Sequence, residues 1–190
     1  MDAEGPLWPL VVTSFLALVV LYAPQPLLPR WADVYGIPET RVALVIAVAL
    51  VPLAIAPLAG RPVLRRWTTV RVLRGATVLL AVCVGATALR PSFPVLLGIR
   101  VGQGLAIAAL LTALMTHISQ VTRGGSALRR LMSVYVAATI LGGFLGRLGA
   151  GITAEIVSDR WFFVGCAVLL LVSDLGLRRL PQQRRSPDPG

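Results

Sequence analysis

Residues that carry chemistry are scarce in this chain. Its 190 residues include two cysteines and one histidine, and only 14% are charged. Cys83 and Cys166 both lie in apolar runs, with no Cys/His grouping around them, which argues against a disulfide framework and against a metal site. The chain also lacks a glycine-rich phosphate loop, a His-Glu zinc pair and a Ser/His/Asp arrangement. We therefore expect no cofactor, no metal and no enzyme activity.

Apolar residues are abundant instead. They make up 56% of the chain, and the mean hydropathy is +0.81. A soluble domain carries about a quarter charged residues, so this surplus indicates a membrane protein. The net charge of +10 would suggest nucleic-acid binding if the arginines formed one face. They cluster instead in short breaks between apolar runs, so we expect a lipid bilayer and no nucleic acid as the partner.

Six apolar segments reach the roughly 20 residues that a membrane-spanning helix needs. The predicted spans are residues 8–28, 42–60, 72–90, 93–117, 131–153 and 161–178. They are too long for barrel strands and lack strand alternation. The sequence thus predicts an all-α integral membrane protein whose six-span bundle covers residues 1–178. Residues 179–190 are polar and contain proline, which predicts a disordered tail.

Arginine is distributed unevenly between the two ends of these spans. The second break, the fourth break and the tail are rich in arginine, whereas the first and fifth breaks contain Asp and Glu residues. Cytoplasmic loops of membrane proteins carry excess Lys and Arg. We therefore predict a multi-pass protein of the plasma membrane with both termini in the cytoplasm.

Three charged residues lie inside the predicted spans. Such residues are costly in lipid and mark pathways or pairings. Arg100 lies roughly 10 Å below the outer surface, and Arg147 lies in the same half. Each arginine either binds backbone carbonyls (for Arg100, also Gln25) or lines a cavity facing substrate. We expect Asp174, near the inner end, to pair with Arg178 one turn later.

Small residues and prolines mark two further features of the spans. Gly98 and Gly102 in the fourth span, and Gly142 and Gly146 in the fifth, have the spacing that lets helices pack closely in lipid. The segment YAPQPLLP at the outer end of the first span contains three prolines, which disrupt helical hydrogen bonds.

The order of three motifs resembles the N-terminal half of a major facilitator superfamily transporter, and most closely its bacterial drug and sugar efflux members. These motifs are YAPQPLLPRWADVYGIP, RPSFPVLLGIRVGQGLAIAAL and MSVYVAATILGGFLGRLGAGITAE. The resemblance implies one bundle built as a 3+3 inverted repeat, which works by alternating access. It implies that Tyr22, Gln25 and Arg100 border a substrate cavity. Gln103, one turn from Arg100, and the charged span residue Arg147 are further candidates for this cavity.

The resemblance also has departures, chiefly in the cytoplasmic loops. Gly60 stands where the family has an acidic residue, and SQVTRGGSALRR contains no acid. The arginines that the family would pair with such acids in a cytoplasmic gate are kept, and they are Arg61, Arg65, Arg66, Arg129 and Arg130.

Six spans supply one wall of a transport cavity. The sequence therefore predicts a half-size transporter of a small molecule, exporting it as a homodimer or with a second six-span half. The alternative is a membrane subunit without transport activity, or a truncated remnant. If transport occurs, we expect Arg100→Ala to abolish it without affecting membrane insertion.

Overall fold

The computed structural model describes residues 8–121 and 125–178, and side chains within these ranges except those of residues 56–66, 120–121 and 126–128. All of its regular elements in the described ranges are helical. They are α1 (Trp8–Tyr22), a 3-10 helix (Gln25–Leu27), α2 (Leu28–Tyr35), α3 (Glu39–Val42), α4 (Leu44–Arg66), α5 (Thr69–Ala88), α6 (Phe93–Val121), α7 (Ser126–Ile156) and α8 (Asp159–Leu177).

The first predicted span is longer than expected and is broken in the middle. Its three helical pieces form one apolar segment, Trp8–Tyr35. Pro24 and Pro26 have no N–H group, so they cannot donate to the carbonyls four residues earlier, and α1 ends before them. The predicted outer loop is helical as far as Tyr35, where Gly36 ends α2 in a left-handed conformation with a φ of 61°.

Five helical segments of the described residues are long and apolar enough to cross a membrane. They are Trp8–Tyr35, Thr69–Ala88, Phe93–Ser119, Arg129–Ile156 and Asp159–Leu177. The predicted span 42–60 coincides with α4, which has 23 residues; the side chains of 56–60 lie outside the described ones. The count of six spans, the inverted repeat and the cytoplasmic termini stay predictions. The predicted tail, 179–190, lies outside the described residues.

Each long helix packs against at least one other long helix. Helix α6 packs against α4 and α5, α5 also packs against α8, and α1 packs against both α7 and α8. Aliphatic residues with almost no exposed surface fill the interior, among them Val20, Leu80 and Leu110. Large aliphatic side chains such as Val82 and Val172 are more than half exposed on the outside. This outward apolar surface is what a bundle in lipid requires.

Glycines set the closest helix contacts. A Cβ atom on Gly104 would lie 3.0 Å from the carbonyl carbon of Ala49 on α4, and one on Gly146 would lie 2.7 Å from Cα of Val19 on α1. Gly142 similarly faces the carbonyl oxygen of Phe15 at 2.5 Å. Of the pair predicted in α6, Gly102 meets only a sulfur atom at 3.2 Å.

Gly98, the other predicted packing residue of α6, has no described atom within 4 Å of the position of an added Cβ. The close approach on this helix is therefore made at Gly104, which the i,i+4 pattern missed. The pattern specifies small residues on one face, whereas the height at which α4 crosses α6 depends on the tertiary packing.

Polar contacts join helices at both ends of the bundle. At the end that holds the α5–α6 and α7–α8 turns, Asp159 accepts hydrogen bonds from Trp31 and Arg90, each at 2.8 Å. At the opposite end, Asp174 pairs with Arg74 of α5 at 3.1 Å as well as with Arg178 at 3.4 Å. The expected i,i+4 pair is thus present, together with an interhelical pair.

Candidate functional site

Arg100 lies in the interior of the bundle, with only 1% of its surface exposed. Its Nε donates to the carbonyl oxygen of Val45 on α4 at 3.0 Å, and one Nη donates to that of Leu21 on α1 at 3.1 Å. The other Nη donates to the side-chain oxygen of Gln103. Arg100 therefore binds backbone carbonyls of two neighbouring helices. Among the described residues, the side chain of Gln25 is hydrogen-bonded to Arg147 and not to Arg100.

Gln103 extends this network to a fourth helix. It is fully buried, and its Nε2 donates to the hydroxyl of Thr87 on α5 at 3.0 Å. That hydroxyl donates in turn to the backbone carbonyl of Cys83 at 3.0 Å. The connected dipoles therefore link α1, α4, α5 and α6 at one level of the bundle. A charge-assisted network of this kind fixes the relative positions of its helices.

The local sequence explains why these carbonyls are within reach. Leu21 lies in the last turn of α1, where the last carbonyls lack intrahelical donors because the helix ends at Tyr22. Val45 lies one turn before Ala49, the residue that packs against Gly104. The absence of a side chain at Gly104 thus brings the α4 backbone close to α6, and Arg100 lies one turn away on α6.

A second arginine site lies on the surface. Arg147 is exposed, and its guanidinium carbon lies 4.4 Å from the centre of the Tyr22 ring. Its Nε donates to the side-chain oxygen of Gln25. Tyr22 and Gln25 flank the break in α1, so the predicted cavity residues Tyr22, Gln25 and Arg147 form one cluster, whereas Arg100 and Gln103 form another.

The cluster of Arg147, Tyr22 and Gln25 lies on the side of α7 that points away from α8. Gly149 of α7 meets Phe162 of α8, and residues two positions apart on an α-helix point about 200° apart. Arg147 therefore lies on the side of α7 away from α8. The exposed residues Ile140 and Phe144 precede it at positions that share this side. We call this surface, with the half-buried Tyr22 and Gln25 beside it, the α1–α7 face.

The break in α1 is held from both sides. Arg100 binds the carbonyl of Leu21 from the interior, and Arg147 contacts Tyr22 and Gln25 from the surface. Close packing of α1 on α7 makes the second contact possible, because an added Cβ on Gly143 would lie 3.1 Å from the Tyr22 ring. Two arginines at a similar depth therefore both contact the break, but only one of them is accessible.

The predicted gate arginines are partly described. Arg129 and Arg130 are exposed in the first turns of α7. The side chains of Arg61, Arg65 and Arg66 lie outside the described ones. In the described part of the chain, no three potential metal ligands come together.

Interhelical ion pairs at the ends of the bundle escaped the sequence analysis. Arg74 and Asp174 lie 100 positions apart, and Arg90 and Asp159 lie 69 positions apart. Asp174 was visible as an acidic residue inside a span, which signals a partner. Only the packing of α5 against α8 shows that Arg74 is one of its partners.

Comparison with known proteins agrees with the helical architecture. The family model of the Major Facilitator Superfamily matches residues 10–190. The chain belongs to the Major Facilitator Superfamily. It is also 26% identical over 162 residues to an uncharacterized MFS-type transporter, YybF, of Bacillus subtilis strain 168. The match covers 85% of this chain and 40% of that protein, so the chain spans about two fifths of the length of that relative.

Membership of the Major Facilitator Superfamily confirms the family inferred from the three motifs, although not the drug and sugar subtype. Together with the apolar helices, it identifies a multi-pass membrane protein. The prediction of an all-helical membrane bundle is therefore confirmed in its general form.

Proposed function

We propose that the chain forms one six-helix wall of an alternating-access transporter that exports a small solute across the plasma membrane. The second wall comes from a second copy of the chain or from another six-helix half. The proposal is supported by the family match and by the similarity to a protein named an MFS-type transporter. In this proposal the chain acts by binding and moving its solute, without enzyme activity.

The observation that carries the proposal is the exposed Arg147 cluster on the α1–α7 face. A charged side chain inside a membrane-spanning segment is costly against lipid, and such residues normally face a water-filled cavity or the interior of a bundle. The outer surface of α8 between Trp161 and Val172 is different, because its exposed residues are apolar, such as Val168 and Leu171, and none of them is charged. The two surfaces therefore suit different surroundings, and the α1–α7 face suits the transport pathway.

Arg129 and Arg130 fit the same arrangement. They lie on α7 at the end of the bundle opposite Arg147, which the charge distribution predicts to be cytoplasmic. Their counterparts in a cytoplasmic gate would be acidic residues of the second wall, since the corresponding loops of this chain contain none. In this proposal Arg147 lies in the cavity and the two exposed arginines lie at its inner mouth.

Labelling of single cysteines tests the proposal directly. Phe144→Cys is introduced into a Cys83→Ala/Cys166→Ala background and exposed to a membrane-impermeant maleimide in vesicles of both orientations. In an alternating-access transporter the thiol at 144 is reached by water from each side in turn, so we expect labelling in both orientations.

Val168→Cys on α8 is the matched control, since Val168 and Phe144 are both apolar and more than half of the surface of each is exposed. A thiol at 168 faces lipid in our proposal and stays unlabelled. Equal, negligible labelling of both variants would show that the α1–α7 face is also covered by lipid, as expected of a subunit or remnant without a second wall. The mass of the detergent-solubilised complex then shows whether a second half is present.

A further inference from the structure

Arg147 and Arg100 differ in what their charges can still bind. Arg100 is enclosed, and its three nitrogens have hydrogen-bond partners within the bundle. Arg147 is exposed, and its contacts within the described part of the chain involve only Nε and the face of the guanidinium. Of these two arginines, only Arg147 is accessible to a molecule on the α1–α7 face.

The described part of the chain offers Arg147 no carboxylate. The ion pairs in this part of the chain lie at the two ends of the bundle: Asp159 binds Arg90, and Asp174 binds Arg74 and Arg178. Glu155 lies two turns beyond Arg147 on α7, roughly 12 Å further along the helix axis. A cation within a membrane-spanning segment is stabilised by a counter-charge, so the arrangement leaves room for an anion that is not part of the described chain.

The surroundings of Arg147 indicate what kind of anion fits. Gln25 and the Tyr22 ring hold the guanidinium in place, and a guanidinium binds carboxylate or phosphate through two parallel N–H donors. Ile140 and Phe144, 67% and 58% exposed, provide apolar surface on the same side of α7. Mostly apolar sites with a few fixed polar groups are typical of small-molecule binding.

We propose that Arg147, held by Gln25 and Tyr22, binds the carboxylate or phosphate of an organic anion whose apolar body lies against Ile140 and covers position 144. The proposal rests on the proposed function, because the anion reaches this site from a water-filled cavity. It assigns recognition of charge to Arg147 and leaves Arg100 with the positioning of helices.

The test uses naphthoate, an apolar carboxylate, and the matched neutral naphthamide. The Phe144→Cys variant in phosphatidylcholine nanodiscs is alkylated with the impermeant maleimide in the presence of each probe. We expect naphthoate to slow alkylation and naphthamide to have little effect. Arg147→Gln in this background should weaken the protection by naphthoate about tenfold or more, as loss of a charged hydrogen-bond donor does. Arg147→Lys keeps the charge but not the paired donors, so it should retain part of the protection.

Arg160→Gln is the control, since it removes an exposed arginine from the beginning of α8, away from the face, and should leave protection unchanged. The proposal would be overturned if naphthoate protected the thiol equally well with and without the Arg147→Gln substitution. It would also be overturned if naphthamide protected the thiol as well as naphthoate does. Loss of protection in phosphatidylglycerol nanodiscs would assign the site to a lipid headgroup instead. If the thiol at position 144 is labelled but naphthoate never protects it, the anion site is refuted and the proposed transport cavity is not. If the thiol at position 144 is never labelled, the anion site and the transport cavity are both refuted.

Discussion

Substitution of Gly104 by alanine tests whether the close contact between α4 and α6 positions the Arg100 network. The new Cβ would lie 3.0 Å from the carbonyl carbon of Ala49 and 3.2 Å from its Cα. Both atoms are backbone, so no side chain can rotate away. Carbon atoms pack at roughly 3.5–4.0 Å, which requires the two helices to separate by roughly 1 Å.

That separation also affects Arg100. Val45 precedes Ala49 by one turn, so its carbonyl moves with α4, and the bond from Arg100 Nε, now 3.0 Å, exceeds the usual hydrogen-bond limit. Overpacking costs about 1–3 kcal/mol, and a lost hydrogen bond to a charged group costs about 1.5–3 kcal/mol. Alanine returns about 1 kcal/mol of helix propensity. The net loss is then roughly 1.5–5 kcal/mol, which lowers Tm by roughly 3–20 °C at about 2–4 °C per kcal/mol for a chain of this length.

Gly98→Ala provides the matched control on the same helix. Its Cβ would meet no described atom within 4 Å, so only the propensity gain applies and Tm should stay equal or rise slightly. Tm is measured on both purified variants in one detergent by intrinsic fluorescence. Equal Tm shifts for Gly104→Ala and Gly98→Ala would refute the argument that glycine at 104 sets the distance between α4 and α6.

Three other substitutions have defined expected outcomes. Arg100→Met should lower the free energy of unfolding by roughly 3 kcal/mol, because the buried oxygens that Arg100 binds lose their donor. Chemical denaturation measures this loss, and an unchanged midpoint would show that Arg100 does not hold these helices together. Trp31→Phe removes the 2.8 Å hydrogen bond to the Asp159 carboxylate but keeps an aromatic ring, so a loss of roughly 1.5–3 kcal/mol is expected by the same method. A larger loss would indicate packing rather than the hydrogen bond. Gly36→Ala places a side chain at a φ of 61°, where the strain of roughly 1 kcal/mol should lower Tm by a few degrees. A raised Tm would contradict the left-handed conformation of residue 36 at the end of α2.

The sequence was sufficient for features that depend on local composition. Apolar runs of membrane-spanning length fixed the class of protein, and the motif around Arg100 pointed to the family. The prolines after Tyr22 predicted the disrupted end of α1. Helix ends were less predictable: α7 begins at Ser126 and ends at Ile156, beyond both limits of the predicted span, because polar residues continue a helix outside the apolar segment.

Contacts between residues distant in the chain could not be predicted from the sequence in the same way. The sequence placed both Arg100 and Gln25 in the outer half of their spans and left a contact between them open. The structure pairs Gln25 with Arg147 instead and gives Arg100 two backbone carbonyls. A carbonyl acceptor carries no signature in the amino-acid sequence, since every residue has one.

By itself, the sequence determined that the chain is apolar enough for a membrane, that arginines occur within its spans and that α1 is interrupted. The tertiary structure decided which arginine is buried and which is exposed. Arg100 lies where glycine lets α4 and α6 approach, so its charge is enclosed by backbone dipoles. Arg147 is exposed on the side of α7 that points away from α8, beside Tyr22 and Gln25. The physical reason is that hydropathy depends on each residue, whereas the surroundings of a charge depend on which helices meet there.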